Sequence, residues 1–404
     1  MGRIEIRKYG GSSLAENHII ESIIDSIQQS LSDNQDLKII VAVSARGNTT
    51  DNLFAQAKPF YTARKSDPEL ALLAATGEIQ SASIFSMALS KRNISAKVLL
   101  PSNIPVLVEN DYLEGRIKSI KKEKILENLK KVSVLVIPGY QGVDLNGDVA
   151  LLGRGGTDTT AVAVAAALGV EECNIYSDVD GVYTGDPRVI EKPLKIDHIS
   201  YDEMKEMAIS GAKVLHYRAV EIARRYNIKV KCLSTFIKNE GTTVGKVSSM
   251  EEYEITGLVH KLDEARIEIL NTDSGAEAMY KLFAVIDNLN VPIDMLTQVM
   301  ENNKFNVCFT MPKSLVLQTV SALEKLKNDI KFEKININVD IVKISVIGER
   351  LRNNTQAAVR IMRVLKENNA RIFMVNYSDI KMSFVIPAEN FRVILEKLHC
   401  EFFK

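Results

Sequence analysis

Short β-branched runs alternate with amphipathic helical segments over the first 233 residues, and this alternation constrains the fold more than any other feature of the sequence. Strands separated by helices of this length form a mostly parallel sheet that is covered on both faces. Ligands of such sheets bind outside the carboxyl ends of the strands. The runs that read as strands are 4–8, 38–43, 97–100, 132–137, 149–152, 174–177 and 229–233. We therefore predict an α/β fold with its site in the polar loops 9–13, 44–51, 139–156 and 178–188.

The charge balance and the cysteine pattern narrow the class of protein. Fifty-one basic residues balance 51 acidic ones, so net charge favours neither nucleic acid nor an anionic membrane as a partner. The four cysteines form no C-x-x-C pair and the five histidines have no metal-ligand spacing, so we expect no resident metal. The longest apolar run, 161–170, is half a membrane span, and the N-terminus leads into a strand without a leader. We expect a soluble cytoplasmic protein whose partner is a small molecule.

A glycine-rich corner at 153–158 joins a predicted strand to a predicted helix. Its sequence, G-R-G-G-T-D, follows the apolar run 149–152 and precedes an alanine-rich stretch. Glycines let the backbone approach a ligand, and a helix that begins at Thr157 points unpaired N–H groups into the same space. Arg154 adds a planar fork that binds a carboxylate or a phosphate through two bonds. This corner therefore predicts a site for a small ionic molecule.

Two further segments have features of nucleotide sites. Lys8-Tyr9-Gly10-Gly11-Ser12-Ser13 ends the first strand and resembles a phosphate loop, although it lacks the Walker pattern. Taken alone, it equally fits a tight strand-to-helix turn with a surface lysine. The acidic segment 177–188 offers Asp178 to a ribose or adenine donor, Tyr183 to a base and Arg188 to a phosphate. Taken alone, it equally fits a solvated connector or a weak calcium loop.

Hydroxyl groups and one glutamate suggest recognition of an ammonium group. Ser44 and Thr50 lie in the loop 44–51, and Glu78 follows Thr76 and Gly77 just before a predicted helix. The alternative is that Thr49, Thr50 or Thr76 simply caps a helix. In the segment 211–216, Lys213 equally fits a surface cation, and we interpret His216 as a structural or exposed histidine.

The pattern of predicted strands and helices changes after residue 235. The polar segment 238–249 reads as a linker. Beyond it, a pattern of strand, helix, strand, strand and helix occurs twice, with predicted helices at 276–289, 314–326, 355–368 and 389–399. The predicted domains are 1–237, a linker at 238–255, and two βαββα ferredoxin-like modules at 256–330 and 331–404. Each module is small, so we expect the pair to share an interface or to form an oligomer.

The order of these segments carries a family resemblance that covers nearly the whole chain. The segments are K-Y-G-G-S-S-L-A at 8–15, S-A-R-G-N-T-T-D at 44–51, G-E at 77–78, G-R-G-G-T-D-T-T-A at 153–161, Y-S-D-V-D-G-V-Y-T-G-D-P-R at 176–188 and G-A-K-V-L-H at 211–216. In these segments the sequence resembles the aspartokinases, the aspartate-phosphorylating members of the amino acid kinase family. Its tail resembles the paired ACT regulatory modules of that family.

The resemblance implies a role for each of the quoted positions. A catalytic role is implied for Lys8 and Asp158. Asp158, beside Arg154, would help to organise the substrate amino group and the loop at this corner. Aspartate binding is implied for Ser44, Thr50, Glu78, Arg154, Gly155 and Thr157. Binding of ATP is implied for Lys8, Gly10, Gly11, Ser12, Ser177, Asp178, Tyr183, Arg188 and Lys213. Magnesium is expected to arrive with the ATP.

The implied activity is phosphorylation of the side-chain carboxylate of L-aspartate to 4-phospho-L-aspartate, the first step of the lysine, threonine and methionine branch. The resemblance also implies feedback control through the ACT modules, with lysine as the first candidate effector and threonine as the second. Asp294, at the start of a module strand, is the candidate partner of the effector ammonium. Homo-oligomers are expected to form through the ACT modules. Met250 is a candidate internal start for a separate regulatory subunit.

Some positions depart from the family pattern, and two rival functions stay open. Tyr217 stands where a proline usually follows the histidine, and Gln356 stands in a loop that usually carries proline and glycine, which leaves the effector open. One rival is a related kinase that phosphorylates glutamate, acetylglutamate or a nucleotide. The other is an amino acid sensor without catalysis. Arg154 with Glu78 favours a free amino acid as the acceptor, and the presence of Lys8 and Lys213 argues against loss of catalysis.

Overall fold

The computed structural model describes residues 2–60, 67–104, 106–109, 111–247, 255–273, 275–301, 304–349 and 351–403. The chain divides into two compact units. The first contains most of the chain up to residue 250, and the second contains the rest together with 184–194 and 210–212. Met250 and the rest of residues 248–254 of the predicted linker lie outside the described residues.

Strands and helices alternate in the first unit, as the sequence predicts. Its strands are β1 Ile4–Tyr9, β2 Lys38–Val43, β3 Ala96–Val98, β4 Val106–Glu109, β5 Arg116–Ile120, β6 Val134–Pro138, β7 Gln141–Val143, β8 Val149–Leu151, β9 Glu172–Ser177, β10 Val182–Tyr183, β11 Lys195–Ile196, β12 His198–Ser200, β13 Lys229–Ser234 and β14 Thr242–Gly245. Its helices are α1 Asn17–Asp33, α2 Thr49–Ala57, α3 Pro68–Lys91, α4 Lys122–Leu129, α5 Gly156–Leu168, α6 Tyr201–Ser210 and α7 Tyr217–Tyr226.

The main sheet of the first unit is mostly parallel, which confirms the predicted fold class. Its strand order is β12-β14-β13-β9-β1-β2-β6-β3. Strand β1 pairs in parallel with β2 on one side and with β9 on the other, and β2 pairs in parallel with β6. Strand β14 is antiparallel to β13. The carboxyl ends of β9, β1, β2 and β6 therefore lie side by side at one edge of the sheet.

The run at 149–152 is a strand, but the prediction that places it in the main sheet is wrong. It forms β8 of a separate sheet with the order β5-β4-β7-β8, where it is antiparallel to β7. The physical reason is the short turn between β7 and β8, in which the Asp144 carboxylate accepts the backbone N–H groups of Asn146 and Asp148. A hairpin of this length holds two strands antiparallel, whereas a parallel pair needs a long crossover.

The apolar stripe predicted for the first helix packs against the main sheet. Ile20, Ile23, Ile24 and Ile27 of α1 are buried together with side chains of β2 and α3. Of the described helices, α3 is the one long and apolar enough to cross a membrane by length and composition, and half of its apolar window is buried inside the protein. Its burial fits a core helix, since full burial of each aliphatic side chain contributes about 1.5–3 kcal/mol.

The second unit contains the two predicted βαββα repeats. Its strands are β15 Ile255–Lys261, β16 Glu264–Asp273, β17 Leu296–Glu301, β18 Lys304–Pro312, β19 Lys334–Asn338, β20 Ile341–Gly348, β21 Met374–Tyr377 and β22 Lys381–Pro387. Its helices are α8 Ala276–Asn288, α9 Val316–Lys325, α10 Lys327–Ile330, α11 Thr355–Glu367 and α12 Phe391–Phe402.

The two repeats exchange strands, which the sequence pattern does not predict. One sheet has the order β17-β18-β16-β19 and the other has the order β15-β20-β22-β21. Strand β15 comes before the first repeat in the chain and pairs with β20 of the second, while β19 pairs with β16 of the first. We call the first sheet with its helices the first module, and the second sheet with its helices the second module. The contiguous boundaries 256–330 and 331–404 stay a prediction.

Candidate active site

A cavity of about 570 Å³ opens at the carboxyl ends of β1, β2 and β6. Two of the four predicted loops, 44–51 and 139–156, contribute to it together with Lys8 near the end of β1, because β1, β2 and β6 are neighbours in the sheet. The lining residues are Lys8, Ser44, Thr50, Asp51, Phe54, Glu78, Leu113, Glu114, Tyr140, Gly153, Arg154, Gly155, Gly156, Thr157 and Asp158. The structure thus brings together every residue for which the sequence predicts catalysis or aspartate binding.

A lysine and an aspartate form an ion pair in the wall of this cavity. Lys8 Nζ, near the end of β1, lies 2.7 Å from Asp158 Oδ1 in the first turn of α5, and each side chain is only 11% exposed. The second oxygen of Asp158 accepts the backbone N–H of His216 at 3.4 Å. Asp158 therefore holds the Lys8 ammonium in place. Its predicted contact with the substrate amino group stays a prediction.

Two glycines are required by the close packing around this pair. Gly155, before the first turn of α5, has a φ of +68°, and a Cβ there would lie 2.2 Å from the His216 ring. A Cβ on Gly11 would lie 2.7 Å from the backbone oxygen of Ala45. Side chains are excluded at both positions by sterics, and at Gly155 also by the left-handed backbone. Glycine at these positions therefore lets the loop after β1 pack on the loop after β2, and lets the start of α5 pack on His216.

Glu78 is buried in the cavity and keeps one oxygen without a partner. The prediction that Glu78 precedes a helix is wrong, because α3 already begins at Pro68 with Asp67 as its cap. Glu78 Oε1 accepts the Ala45 N–H at 3.0 Å, while Oε2 is buried and has no hydrogen-bond partner within the described ranges. Burial of the carboxylate raises the pKa of Glu78 to about 7. An ammonium group would satisfy the free oxygen.

The remaining predicted aspartate contacts line the same cavity as this carboxylate. Ser44 Oγ donates a hydrogen bond to Thr157 Oγ1 at 2.9 Å, which joins the end of β2 to the first turn of α5. Thr50 lies in the first turn of α2. Arg154 is exposed, and within the part of the chain that the structure describes its guanidinium has neither an ion-pair nor a hydrogen-bond partner. Its charge is therefore available to an anion.

Some of the predicted nucleotide contacts lie next to the phosphate-like loop. Gly10 N–H donates to the backbone oxygen of Tyr176, and Ser13 Oγ lies 2.6 Å from Thr235 Oγ1, whose residue in turn donates its N–H to the Ser177 oxygen. Ser12 begins a short 3-10 turn after Gly11. The ends of β1 and β9 therefore place the predicted phosphate loop beside Ser177.

The other predicted nucleotide contacts are at the surface or in the second unit. Asp178 and Lys213 are exposed, and the Tyr183 hydroxyl donates to Asp180 at 2.9 Å. Arg188 belongs to the second unit, and its guanidinium bonds Asp186 at 2.8 and 2.9 Å. Contact of these residues with a nucleotide stays a prediction.

Sequence reasoning missed several residues of the cavity, of which Tyr140 is the clearest. It has a φ of +68°, a conformation that is uncommon for a residue with a side chain and that clusters at functional sites. Burial is the main reason that its pKa is raised. The signal was its place directly after Gly139 at the end of β6, inside a loop already singled out. Asp51 also lies in a predicted site loop, 44–51, whereas Phe54, Leu113 and Glu114 gave no comparable signal.

The candidate effector residue is already paired within the chain. Asp294 lies just before β17, and its carboxylate bonds the ammonium of Lys343 on β20. Lys343 Nζ also lies 3.5 Å from Glu264 Oε1, and the side chains of Lys343 and Glu264 are each 1% exposed. Burial lowers the pKa of Lys343 to about 8. An effector ammonium at Asp294 would therefore compete with an internal lysine.

Comparison with known proteins gives consistent results along the chain. The profile of the amino acid kinase family matches residues 4–234, and that of an ACT domain matches residues 344–402. An aspartate kinase of Pseudomonas fluorescens SBW25 is 34% identical over 401 residues, which cover 98% of this chain and 97% of the relative. Aspartokinase 2 of Bacillus subtilis 168 is 34% identical over 404 residues, which cover 100% and 98%.

Solved structures show the same fold. E. coli aspartokinase III in complex with aspartate and ADP (R-state) matches with a TM-score of 0.83 at 22% identity over 100% of both chains. The same enzyme in complex with lysine and aspartate (T-state) matches with a TM-score of 0.77 at 22% identity, over 99% of this chain and 100% of the other.

Proposed function

Because the chain belongs to the amino acid kinase family and is an aspartate kinase, we propose that it transfers the γ-phosphoryl group of ATP to the side-chain carboxylate of L-aspartate, giving 4-phospho-L-aspartate and ADP. The observation that supports this reaction best is the cavity at the sheet edge, where Lys8, Glu78 and Arg154 meet. It combines cations for two anionic substrates with a buried carboxylate for an ammonium group.

Aspartate is oriented by groups of opposite charge. The Arg154 guanidinium binds the α-carboxylate through two bonds, since it is exposed and faces the cavity. The free oxygen of Glu78 accepts the α-ammonium group. The hydroxyls of Ser44, Thr50 and Thr157 complete the contacts. The side-chain carboxylate is then left to face the phosphates near Lys8.

Catalysis at this site depends on alignment and charge neutralisation. A carboxylate with an ordinary pKa near 4 is already ionised at neutral pH, so no general base is needed. One carboxylate oxygen forms a bond to the γ-phosphorus while the bond between that phosphorus and the β,γ-bridging oxygen breaks, and ADP leaves with the electron pair. Lys8, held by Asp158, neutralises charge on the transferring group. The first turn of α5 adds unpaired N–H groups.

Magnesium fits this site as a companion of ATP. The described residues contain no group of three or more His, Cys, Asp and Glu side chains that could hold a metal ion. Mg²⁺ is often held by substrate phosphates, water and one or two carboxylates rather than by a protein cage. Bound in this way, it would neutralise charge on the β- and γ-phosphates.

The raised pKa of Glu78 predicts how aspartate binding depends on pH. Because its pKa is about 7 in the folded protein, Glu78 is mostly protonated below pH 7 and loses the charge that binds the α-ammonium. We expect kcat/KM for aspartate to fall about tenfold per pH unit below pH 7. Glu78→Gln should lower kcat/KM at pH 8 and remove this dependence. Steady-state kinetics between pH 5.5 and 8.5 measure both effects.

Glu114→Gln is the matched control, because Glu114 lines the same cavity but lies outside the proposed ammonium contact. It should keep the inflection near pH 7.

The raised pKa of Glu78 also predicts an effect on stability. Ionisation of the buried carboxylate is less favourable in the folded protein than in the unfolded chain, so the free energy of unfolding falls as the pH rises from the ordinary pKa of a glutamate to about 7. Glu78→Gln should therefore be more stable than the parent at pH 8, by about 1–3 kcal/mol. An inflection that persists in Glu78→Gln would assign the titration to another group.

The proposed reaction is tested by trapping the product with hydroxylamine, which converts an acyl phosphate to a hydroxamate. The purified chain is incubated with MgATP and, in turn, aspartate, glutamate, acetylglutamate and other amino acids. We expect hydroxamate only with aspartate, at a rate that saturates with both substrates. Hydroxamate with another acceptor would identify a related kinase, and none with any acceptor would favour an amino acid sensor.

The proposal extends to regulation, assembly and location. We expect feedback control by an amino acid that binds at Asp294 of the first module, with lysine as the first candidate and threonine as the second. The relative in complex with lysine supports this choice. Equilibrium dialysis that detects neither amino acid would refute it. The reaction is proposed as the first step of the lysine, threonine and methionine branch, in the cytoplasm, by a homo-oligomer formed through the ACT modules.

A further inference from the structure

A long hairpin links the proposed nucleotide loop to the second module. Strands β10 and β11 form its base, with Tyr183 opposite Lys195. The segment between them, Thr184–Leu194, belongs by its packing to the unit that contains the modules, whereas the base belongs to the first unit. We call residues 177–183, which directly precede Thr184, the nucleotide loop; the remaining proposed contact of the segment 177–188, Arg188, lies in the hairpin itself. Any shift of Thr184 therefore acts on that loop through one peptide bond.

The tip of the hairpin is part of the core of the second module. Ile190 is 1% exposed and packs in the same cluster as Leu258, Phe384 and Leu398. The Glu191 N–H donates to Glu396 of α12 at 3.2 Å. This burial attaches the tip to the module, because separating the two would expose the Ile190 side chain to water.

Polar contacts also fix the first residue of the segment, in both position and direction. The backbone oxygen of Thr184 accepts the Leu258 N–H of β15 at 2.8 Å. Its hydroxyl lies 2.8 Å from His399 Nε2 of α12 and accepts the Leu194 N–H at 2.9 Å. Thr184 is 5% exposed and His399 is 3% exposed. Loss of the Thr184 hydroxyl would therefore leave both His399 Nε2 and the Leu194 N–H without this hydrogen-bond partner.

These contacts connect the edge strand and the last helix of the second module to the peptide that follows Tyr183. Apolar burial of Ile190 alone would hold the tip to the module. Directed hydrogen bonds at Thr184 additionally fix the backbone where the segment joins the nucleotide loop. The two kinds of contact therefore have different consequences: Ile190 attaches the segment, and Thr184 orients what precedes it.

We propose that Thr184, held by His399 and Leu258, is a positioning residue through which the second module sets the conformation of the nucleotide-binding loop. This inference rests on the proposed function, because the nucleotide role of residues 177–183 is itself a proposal. It predicts that loss of the Thr184 hydroxyl weakens nucleotide binding and leaves aspartate binding unchanged, although Thr184 is not one of the proposed nucleotide contacts.

The test compares Thr184→Val, which keeps the shape and removes the hydroxyl, with Thr184→Ser, which keeps the hydroxyl. For the full chain, calorimetry gives the Kd of MgADP and steady-state kinetics give KM for ATP and for aspartate. We expect Thr184→Val to raise the Kd and the ATP KM about five- to tenfold, the order of one buried hydrogen bond. The aspartate KM should change less than twofold, and Thr184→Ser should restore the parent values.

His399→Phe removes the other side of the same contact and completes a double-mutant cycle. It should raise the MgADP Kd as Thr184→Val does, and the double variant should match the single variants. A lower unfolding temperature with an unchanged MgADP Kd in both Thr184→Val and His399→Phe would overturn the inference. If Thr184→Val does not fold, the MgADP Kd of His399→Phe alone tests the inference. A parent chain that binds MgADP but forms no aspartyl hydroxamate would overturn the proposed function and leave this test valid.

Discussion

Lys8→Ala should lower kcat about a hundred- to a thousandfold while the Kd for MgADP changes less than about fivefold. Loss of one charged group that stabilises a transition state has an effect of this size. The structure supports such a role because the Lys8 ammonium lies in the wall of the cavity, held 2.7 Å from Asp158 and close to Gly10 of the predicted phosphate loop. Rapid-quench or hydroxamate assays at saturating substrates measure kcat, and calorimetry measures the Kd.

Removal of Lys8 alone also leaves the buried Asp158 carboxylate without its cation, which lowers stability. The double variant Lys8→Ala with Asp158→Asn removes both charges and controls for this loss. It should fold with nearly the parent stability and keep the low kcat. Lys8→Arg keeps the charge but not the compact ammonium, so it should recover only part of the rate. Near-normal turnover in Lys8→Ala would rule out the proposed role.

Arg154→Ala should lower kcat/KM for aspartate about ten- to two-hundredfold. The expected loss of about 1.5–3 kcal/mol is that of a charge-assisted hydrogen bond to a carboxylate. Arg154 is exposed and has no partner among the described residues, so the substitution should leave the stability of the protein unchanged. Steady-state kinetics with aspartate as the varied substrate, together with thermal unfolding, separate the two effects.

Arg154→Lys is the matched control for this prediction. It keeps the charge and loses the planar fork, so it should recover only part of the aspartate affinity. An analogue of aspartate without the α-carboxylate should lose the same factor with the parent chain and lose little further with Arg154→Ala. An unchanged dependence on aspartate in Arg154→Ala would reject the assignment.

Hydrophobic periodicity predicts most of the elements, because it reports burial directly. The runs at 38–43 and 229–233 correspond to β2 and β13, and the stripe at 19–31 corresponds to α1. The loops of the site follow from the same reasoning, since parallel neighbours place their carboxyl ends together. This reasoning places Lys8 beside Ser44, whereas the meeting of Lys8 with Glu78, inside α3, and with Arg154, after β8 of the separate sheet, is predicted from the family resemblance.

Pairings between distant segments could not be predicted in this way. The periodicity of β15 and β19 shows that each can be a strand, but not that each joins the sheet of the other repeat. Similarly, the segment that begins at Thr184 reads as a polar turn, and its attachment to the second module through the buried Ile190 side chain and the contacts of Thr184 and Glu191 is seen only in the structure. Glu78 reads as a residue near a helix start because Gly77 suggests a break, whereas the helix continues through this glycine.

A crystal structure of the chain with aspartate and a non-hydrolysable ATP analogue tests the central claim most directly. We expect the α-carboxylate at Arg154, the α-ammonium at Glu78 and Lys8 Nζ in contact with the γ-phosphate. A side-chain carboxylate oxygen of the substrate should lie about 3–3.5 Å from the γ-phosphorus, in line with the bridging oxygen. Aspartate or the γ-phosphate bound outside the cavity that contains Lys8 and Arg154 would contradict the account.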